Sequence, residues 1–73
     1  MKNRAKPYKV NQDLGKKIRR LRHRQNVSQE ELAEKAGIHR TYMGKIERGE
    51  SNPPVRTVSK IAKALKIKIS DLF

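Results

Sequence analysis

Apolar residues recur along this chain in short groups at helical spacing, each group separated from the next by turn-forming or capping residues. Leu14, Ile18 and Leu21 fall at i, i+4 and i+7, one stripe of a helix, and Asp13 before them is placed to cap it. They predict a first helix over 13–26. The second group carries its own start signal. Ser28-Gln29-Glu30-Glu31 is a Ser-x-x-Glu capping box, in which the Ser28 hydroxyl accepts from the Glu31 N–H and the Glu31 side chain reaches back. Val27 and Leu32 stand at the two positions of a hydrophobic staple. Leu32, Ala33 and Ala36 share a face, and Gly37 supplies the left-handed residue that ends a helix over 29–36. Ile38 and Met43 repeat the staple spacing, Ile46 continues the face and Gly49 closes a third helix over about 40–48, with His39 as a weak cap. GESNPP (49–54) is loop chemistry throughout. Pro54 suits the first turn of a fourth helix, whose stripe is Val55, Val58, Ile61, Ala62 and Leu65. Ser70-Asp71-Leu72-Phe73 reads as the opening of a fifth helix cut short. Residues 1–12 have no apolar period and no acid, and read as a basic arm attached to one domain, 13–73.

The second and third helices are short and their joint at Gly37 is tight, so they must cross steeply, which makes them a helix-turn-helix unit. The block Gln29–Arg48 resembles the Cro/repressor-type helix-turn-helix family of bacterial and phage regulators. Gln29, Ala33 and Gly37 match that family's pattern, with Leu32, Ala36, Ile38, Met43 and Ile46 at its apolar places. Ile18-Arg19-Arg20-Leu21-Arg22 looks like its first helix, and Asn52-Pro53 with Ile61–Ile67 like its fourth, so the likeness covers roughly 14–73. The run His39-Arg40-Thr41-Tyr42-Met43 before Ile46-Glu47-Arg48 is similar to the small controller proteins of restriction–modification systems. The implied fold is all-α, a compact four-to-five-helix domain of the lambda-repressor-like type. The resemblance also implies that Arg22 pairs with Glu47, tying the first helix to the end of the third as a semi-buried structural ion pair.

Charge narrows the partner. The 73 residues carry 19 Lys and Arg against 7 Asp and Glu, a net +12 with a pI near 10.7, the footprint of a polyanion binder. It is uneven. Residues 1–26 hold ten positive side chains and one acid, residues 27–73 nine and six. The sequence has no Cys, hence no disulfide and no Cys-based zinc site. His23 and His39 are its only imidazoles, and no nucleophile–base pair, carboxylate pair or phosphate-cradling Gly loop is present. The expectation is a non-enzyme without metal, cofactor or small-molecule ligand. No apolar run approaches a membrane span of about 20 residues, so the expected setting is cytoplasmic, with no membrane partner.

In a helix-turn-helix unit the second helix enters the DNA major groove. Here that helix breaks two local rules, as functional sites tend to do. Arg40 sets a positive charge at the positive end of the helix dipole, and Gly44 costs about 1 kcal/mol against Ala. Arg40 has the reach for guanine O6 and N7, the commonest specific contact. Thr41 suits a base edge or methyl group, Lys45 a guanine or a phosphate, and Gly44 a close approach of backbone to bases. Gln29 is placed to donate to a phosphate or a base edge. Ser28, Arg48, Asn52, Arg56 and Tyr42 are expected at phosphates, although Tyr42 could equally pack at the edge. The arm suits phosphates or a minor groove, or serves as a solubilising tail.

These residues predict a sequence-specific regulator that binds a pseudo-palindromic double-stranded DNA operator as a homodimer. An antitoxin-type protein-interaction module with secondary DNA binding is the alternative from another class, and a nonspecific nucleic-acid binder a weaker third.

Overall fold

The computed structural model describes residues 8–73. Four α-helices follow one another: α1 (Tyr8–Arg24), α2 (Gln29–Ala36), α3 (Arg40–Glu47) and α4 (Val55–Ala64). A 3₁₀ turn over Ile69–Leu72 stands where a fifth helix was expected. The all-α expectation holds, and α2 has the predicted bounds. Pro54 is the N-cap of α4 rather than part of its first turn, and its carbonyl accepts from the N–H groups of Thr57 and Val58.

The larger departure is α1, which begins five residues before the expected start. Residues 8–12 of the expected arm are helical; the rest of the arm lies outside the described residues. Asp13 is therefore mid-helix and caps nothing, and it pairs at 3.4 Å with Lys9 one turn back. Gln12 explains why the extension has a place to pack. A Cβ on Gly49 would stand 2.7 Å from Gln12 Cγ, so this turn of α1 lies directly on the end of α3.

All four helices stop in the same way. Asn26, Gly37, Gly49 and Lys66 each take a left-handed φ, between 57° and 76°. In each case the next residue's N–H reaches back to a carbonyl of the last turn: Val27 to Arg22, Ile38 to Ala33, Glu50 to Lys45 and Ile67 to Ala62, at 2.9–3.1 Å. This is the Schellman arrangement, whose last residue is commonly apolar and packs back on its own helix. Val27, Ile38 and Ile67 do so, partly buried against the core. Glu50 does not. It is exposed.

The core is assembled from the predicted stripes: Leu14 and Ile18 of α1, Leu32, Ala33 and Ala36 of α2, Met43 and Ile46 of α3, Val58, Ile61, Ala62 and Leu65 of α4, and Leu72 of the 3₁₀ turn. Leu21 is only partly buried, and Val55, expected in the α4 stripe, is 74% exposed. Val55 is the first residue of its helix. Gln25, just past α1, donates to the Leu65 carbonyl at 2.8 Å and ties the ends of α1 and α4 together.

One buried carboxylate joins three helices. The Glu47 side chain is fully withdrawn from water. Arg22 of α1 grips it with both edges of its fork, Nε to Oε2 at 2.8 Å and Nη2 to Oε1 at 3.0 Å, and directs Nη1 to the Val27 carbonyl at 3.1 Å. Gln29 of α2 donates to Oε1 at 3.2 Å. Arg19 sits 3.7 Å from the same oxygen and donates to the Glu47 carbonyl at 3.4 Å. The ion pair implied by the family resemblance is therefore present, with two further partners. Gly15 makes the approach possible. A Cβ there would fall within 2.6 Å of the Ile46 carbonyl oxygen and closer still to that of Glu47.

This packing and the α2 cap have measurable consequences for stability. Gly15→Ala forces α1 off α3 and is expected to cost about 3 kcal/mol or more, read as a lower thermal midpoint. Glu47→Ala leaves Arg22 uncompensated and should cost about 3–5 kcal/mol, with the loss much reduced in an Arg22→Met background; Glu34→Ala on the exposed face should cost little. Equal small effects of the two Glu substitutions would contradict the buried pair. At the α2 cap, Ser28 N–H donates to Glu31 Oε1 at 2.8 Å and the Glu31 N–H to Ser28 Oγ at 3.0 Å. The backbone and side-chain hydrogen bonds with Ser28 hold the Glu31 carboxyl below its ordinary value of 4.5. A carboxyl depressed in the folded state stabilises above its unfolded pKa and loses that contribution as pH falls through the folded one. The stability advantage of the wild type over Glu31→Gln should thus be present at neutral pH and shrink below pH 4.5.

Candidate nucleic-acid interface

α3 divides its residues cleanly. Met43, Ile46 and Glu47 point inward, and Arg40, Thr41, Lys45 and Arg48 are exposed. The helix starts where the sequence suggested because His39 does cap it: Nδ1 accepts from the Thr41 N–H at 3.0 Å. Arg40 and Thr41 therefore occupy the first turn of α3, free of side-chain partners among the described residues. Tyr42 is half-buried against the core, the edge-packing alternative.

Gly44 is not an open gap in this face. It is buried, and the space its side chain would take is occupied from within the protein. Arg48 Nη1 lies 3.1 Å and Gln29 Oε1 3.4 Å from where a Cβ would stand. The glycine thus gives two polar side chains from neighbouring turns a common seat against the α3 backbone. Gln29 differs from expectation in the same way. One of its amide hydrogens is committed to Glu47, which fixes the side chain between α2 and α3 with Oε1 against Gly44.

Arg48 and Glu50 form a second fork. Arg48 Nε donates to Glu50 Oε2 at 3.0 Å and Nη2 to Oε1 at 3.2 Å, both side chains about half exposed. The hydrogen bond and charge of Arg48 lower the Glu50 pKa, and the same contact raises that of Arg48. Asn52 and Arg56 are exposed on the loop and first turn of α4, and Ser28 is exposed at the α2 cap with its hydroxyl already accepting from Glu31. Lys16 and Arg19 of α1 share an open cleft with Gln12, Glu47, Arg48 and Glu50, which brings part of the basic first helix beside the end of α3. Arg19 and Glu50 were not expected from the sequence. Gly15, Arg19 and Arg22 stand at i, i+4 and i+7 and could have revealed the α1 face; an acid directly after a glycine helix stop was the available signal at Glu50.

Among the described residues no group of His, Cys, Asp or Glu could hold a metal ion, and no helix is long and apolar enough to cross a membrane.

The geometry has close parallels. The helix-turn-helix model HTH_3 matches residues 18–72. The chain is 41% identical over 64 residues to control protein C.SmaI of Serratia marcescens, covering 88% of this chain and 76% of that one. It is 44% identical over 61 residues to control protein C.BamHI of Bacillus amyloliquefaciens, covering 82% and 75%. The crystal structure of the restriction–modification controller protein C.AhdI from Aeromonas hydrophila superposes with a TM-score of 0.85 at 38% identity, covering 86% of this chain and 96% of that one. The α2–α3 unit, the exposed polar face of α3 and these likenesses agree, and the chain belongs to the Cro/repressor-type helix-turn-helix family of DNA-binding transcriptional regulators, with restriction–modification controller proteins among its near relatives.

Proposed function

We propose that this protein is a controller-type regulator, a binding protein rather than an enzyme, that recognises a pseudo-palindromic operator as a homodimer. The observation that carries the reading is the split of α3: Met43, Ile46 and Glu47 lock it to the body, while Arg40, Thr41 and Lys45 are presented together, exposed. Seated in a major groove, Arg40 offers two parallel donors to guanine O6 and N7, Thr41 a hydroxyl and a methyl, and Lys45 a single charge. Gly44 contributes by seating Gln29 and Arg48 close to the helix axis. Gln29, Ser28, Asn52 and Arg56 fix the register through phosphates, and Tyr42 does so through its hydroxyl. Lys16 and Arg19 add backbone contacts beside α3, and the arm adds more.

The dimer finds support in apolar surface around a second cleft. Phe73 is 65% and Val10 61% exposed around a cleft between α1 and the 3₁₀ turn, and Ile69 is exposed nearby. Two copies related by a two-fold axis would set their α3 helices in successive major grooves about 34–36 Å apart. The same apolar surface would serve a protein-interaction module, but the polar, positively charged face of α3 has no use in that reading.

Arg40→Ala should weaken binding to the cognate duplex by about 1–3 kcal/mol and relax preference at one base position per half-site, measured by titration of substituted duplexes. Equal weakening on cognate and random DNA would remove Arg40 from base reading. Deleting residues 1–12, which also shortens α1, should flatten log affinity against log salt by nearly one for each phosphate that the shortened chain no longer neutralises; an unchanged slope makes the arm a bystander.

A further inference from the structure

Resting on the reading of α3 as the major-groove helix, we infer that Glu50 is a positioning residue that holds Arg48 as a second base-reading side chain, aimed at the paired acceptors of a guanine edge. The sequence alone puts Arg48 among the phosphate contacts, and the geometry points elsewhere.

A guanidinium has five N–H donors in a rigid plane. Glu50 takes the Nε hydrogen and one Nη2 hydrogen. Both Nη1 hydrogens and the second Nη2 hydrogen stay free, and the end-on edge they form presents two parallel donors. That edge is also fixed in place. Nη1 rests over Gly44, one turn back along α3, so the fork lies on the face that carries Arg40 and Thr41 and not beyond the helix end. Glu50 is itself anchored. Its N–H is bonded to the Lys45 carbonyl at 2.9 Å and it follows the left-handed Gly49, against which Gln12 of α1 is packed. The positioning carboxylate thus sits on backbone held by both α1 and α3.

Charge decides between base and phosphate. The Arg48–Glu50 pair has no net charge, and its carboxylate is repelled by any phosphate that approaches. A neutral base edge is indifferent to net charge and favours donors held in a fixed plane. The local pattern of the fold supports a special role as well. At the other three helix ends the corresponding residue is a partly buried Val27, Ile38 or Ile67; only here is it an exposed acid beside a DNA-facing helix, where an acid opposes binding unless it positions something. Local rules broken in this way mark function.

The test selects bound sequences from a random duplex library with the full chain, then measures affinities for the selected site, its single-base variants and random duplex. The chains compared are wild type, Glu50→Gln, Arg48→Lys and Arg48→Lys/Glu50→Gln. The pair is exposed, so all four should keep the wild-type far-ultraviolet circular dichroism and thermal midpoint. Glu50→Gln and Arg48→Lys should each lower discrimination at one and the same base pair roughly tenfold or more. The double variant should discriminate no worse than Arg48→Lys alone, and binding of Glu50→Gln to random duplex should not weaken. Unchanged base preferences with tighter binding to every duplex would make Glu50 a simple electrostatic competitor and overturn the inference. Equal weakening of all duplexes by Arg48→Lys would return Arg48 to the phosphates and overturn it too. A wild-type chain that enriches no sequence would instead overturn the DNA-recognition reading on which this one rests.

Discussion

The Glu47 carboxylate is the constraint on which the other parts of this small domain depend. Removing a carboxylate from water costs several kcal/mol, offset only if its oxygens are paired in good geometry. Here the hydrogen bonds come from two other helices, from Arg22 of α1 and Gln29 of α2, and Arg19 of α1 adds a charge 3.7 Å from Oε1. Because each reaches the same group, none of the three helices can slide or rotate without stranding charge inside. Apolar contacts alone would be less exacting, since a core of Leu, Ile and Ala tolerates small shifts. Gly15 belongs to the same device. Without its close backbone approach to Ile46 and Glu47, α1 would stand off and the Arg22 fork would lose its bidentate geometry. The end of α3 is thus located from the opposite side of the domain, and with it the seat of every exposed residue on that helix.

The parts of this architecture that were legible in the sequence are those with local, periodic or punctuated signals. The Ser28–Glu31 box, Gly37 and Gly49 mark helix ends by chemistry that needs no tertiary partner, and the apolar stripes account for nearly all of the core. The start of α1 was illegible because its reason is a polar side chain, Gln12, lying on a glycine far along the chain; neither residue has a periodic signature. Asn26 and Lys66 were missed as helix stops because neither is glycine. A left-handed non-glycine residue costs roughly 1–2 kcal/mol, and the following Val27 and Ile67 offset it by packing against the core, which no local rule reveals. Val55 fitted its stripe by spacing yet stands in water, since periodicity assigns a face and does not say how far a helix stays in contact.

The site was legible in composition and less so in arrangement. Arg40, Thr41 and Lys45 were found from the period of α3, because a helix with a buried face must expose the opposite one. By sequence Gly44 suits a close approach of backbone to bases, and in the structure Arg48 and Gln29 lie against it. A missing side chain signals close approach, and the sequence cannot say whether the approaching group is foreign or the protein's own. Gln29 shows the same ambiguity. The residue that matches the family pattern has half of its amide committed inside the fold, so its outward action is constrained by the same carboxylate that holds α1 to α3.

Charge is distributed in a way that suits a division of labour between attraction and discrimination. Ten of the 19 basic side chains lie in the first 26 residues. At an ionic strength near 0.1 M a charge is screened over about 10 Å, while the domain extends 40 × 24 × 22 Å. On the proposed reading, the basic side chains of α1 therefore act mainly on phosphates close to that helix. At α3 the buried Glu47 pairs with Arg22 and Glu50 pairs with Arg48, which leaves Arg40 and Lys45 as the positive charges of its exposed face. A neutral pair such as Arg48–Glu50 gains less from a passing phosphate, so its contribution depends more on donors that meet their acceptors in register. In the proposed reading α1 thus supplies attraction and α3 directional contact. That separation requires α1 and α3 to be rigidly related, and the buried carboxylate between them is what keeps them so.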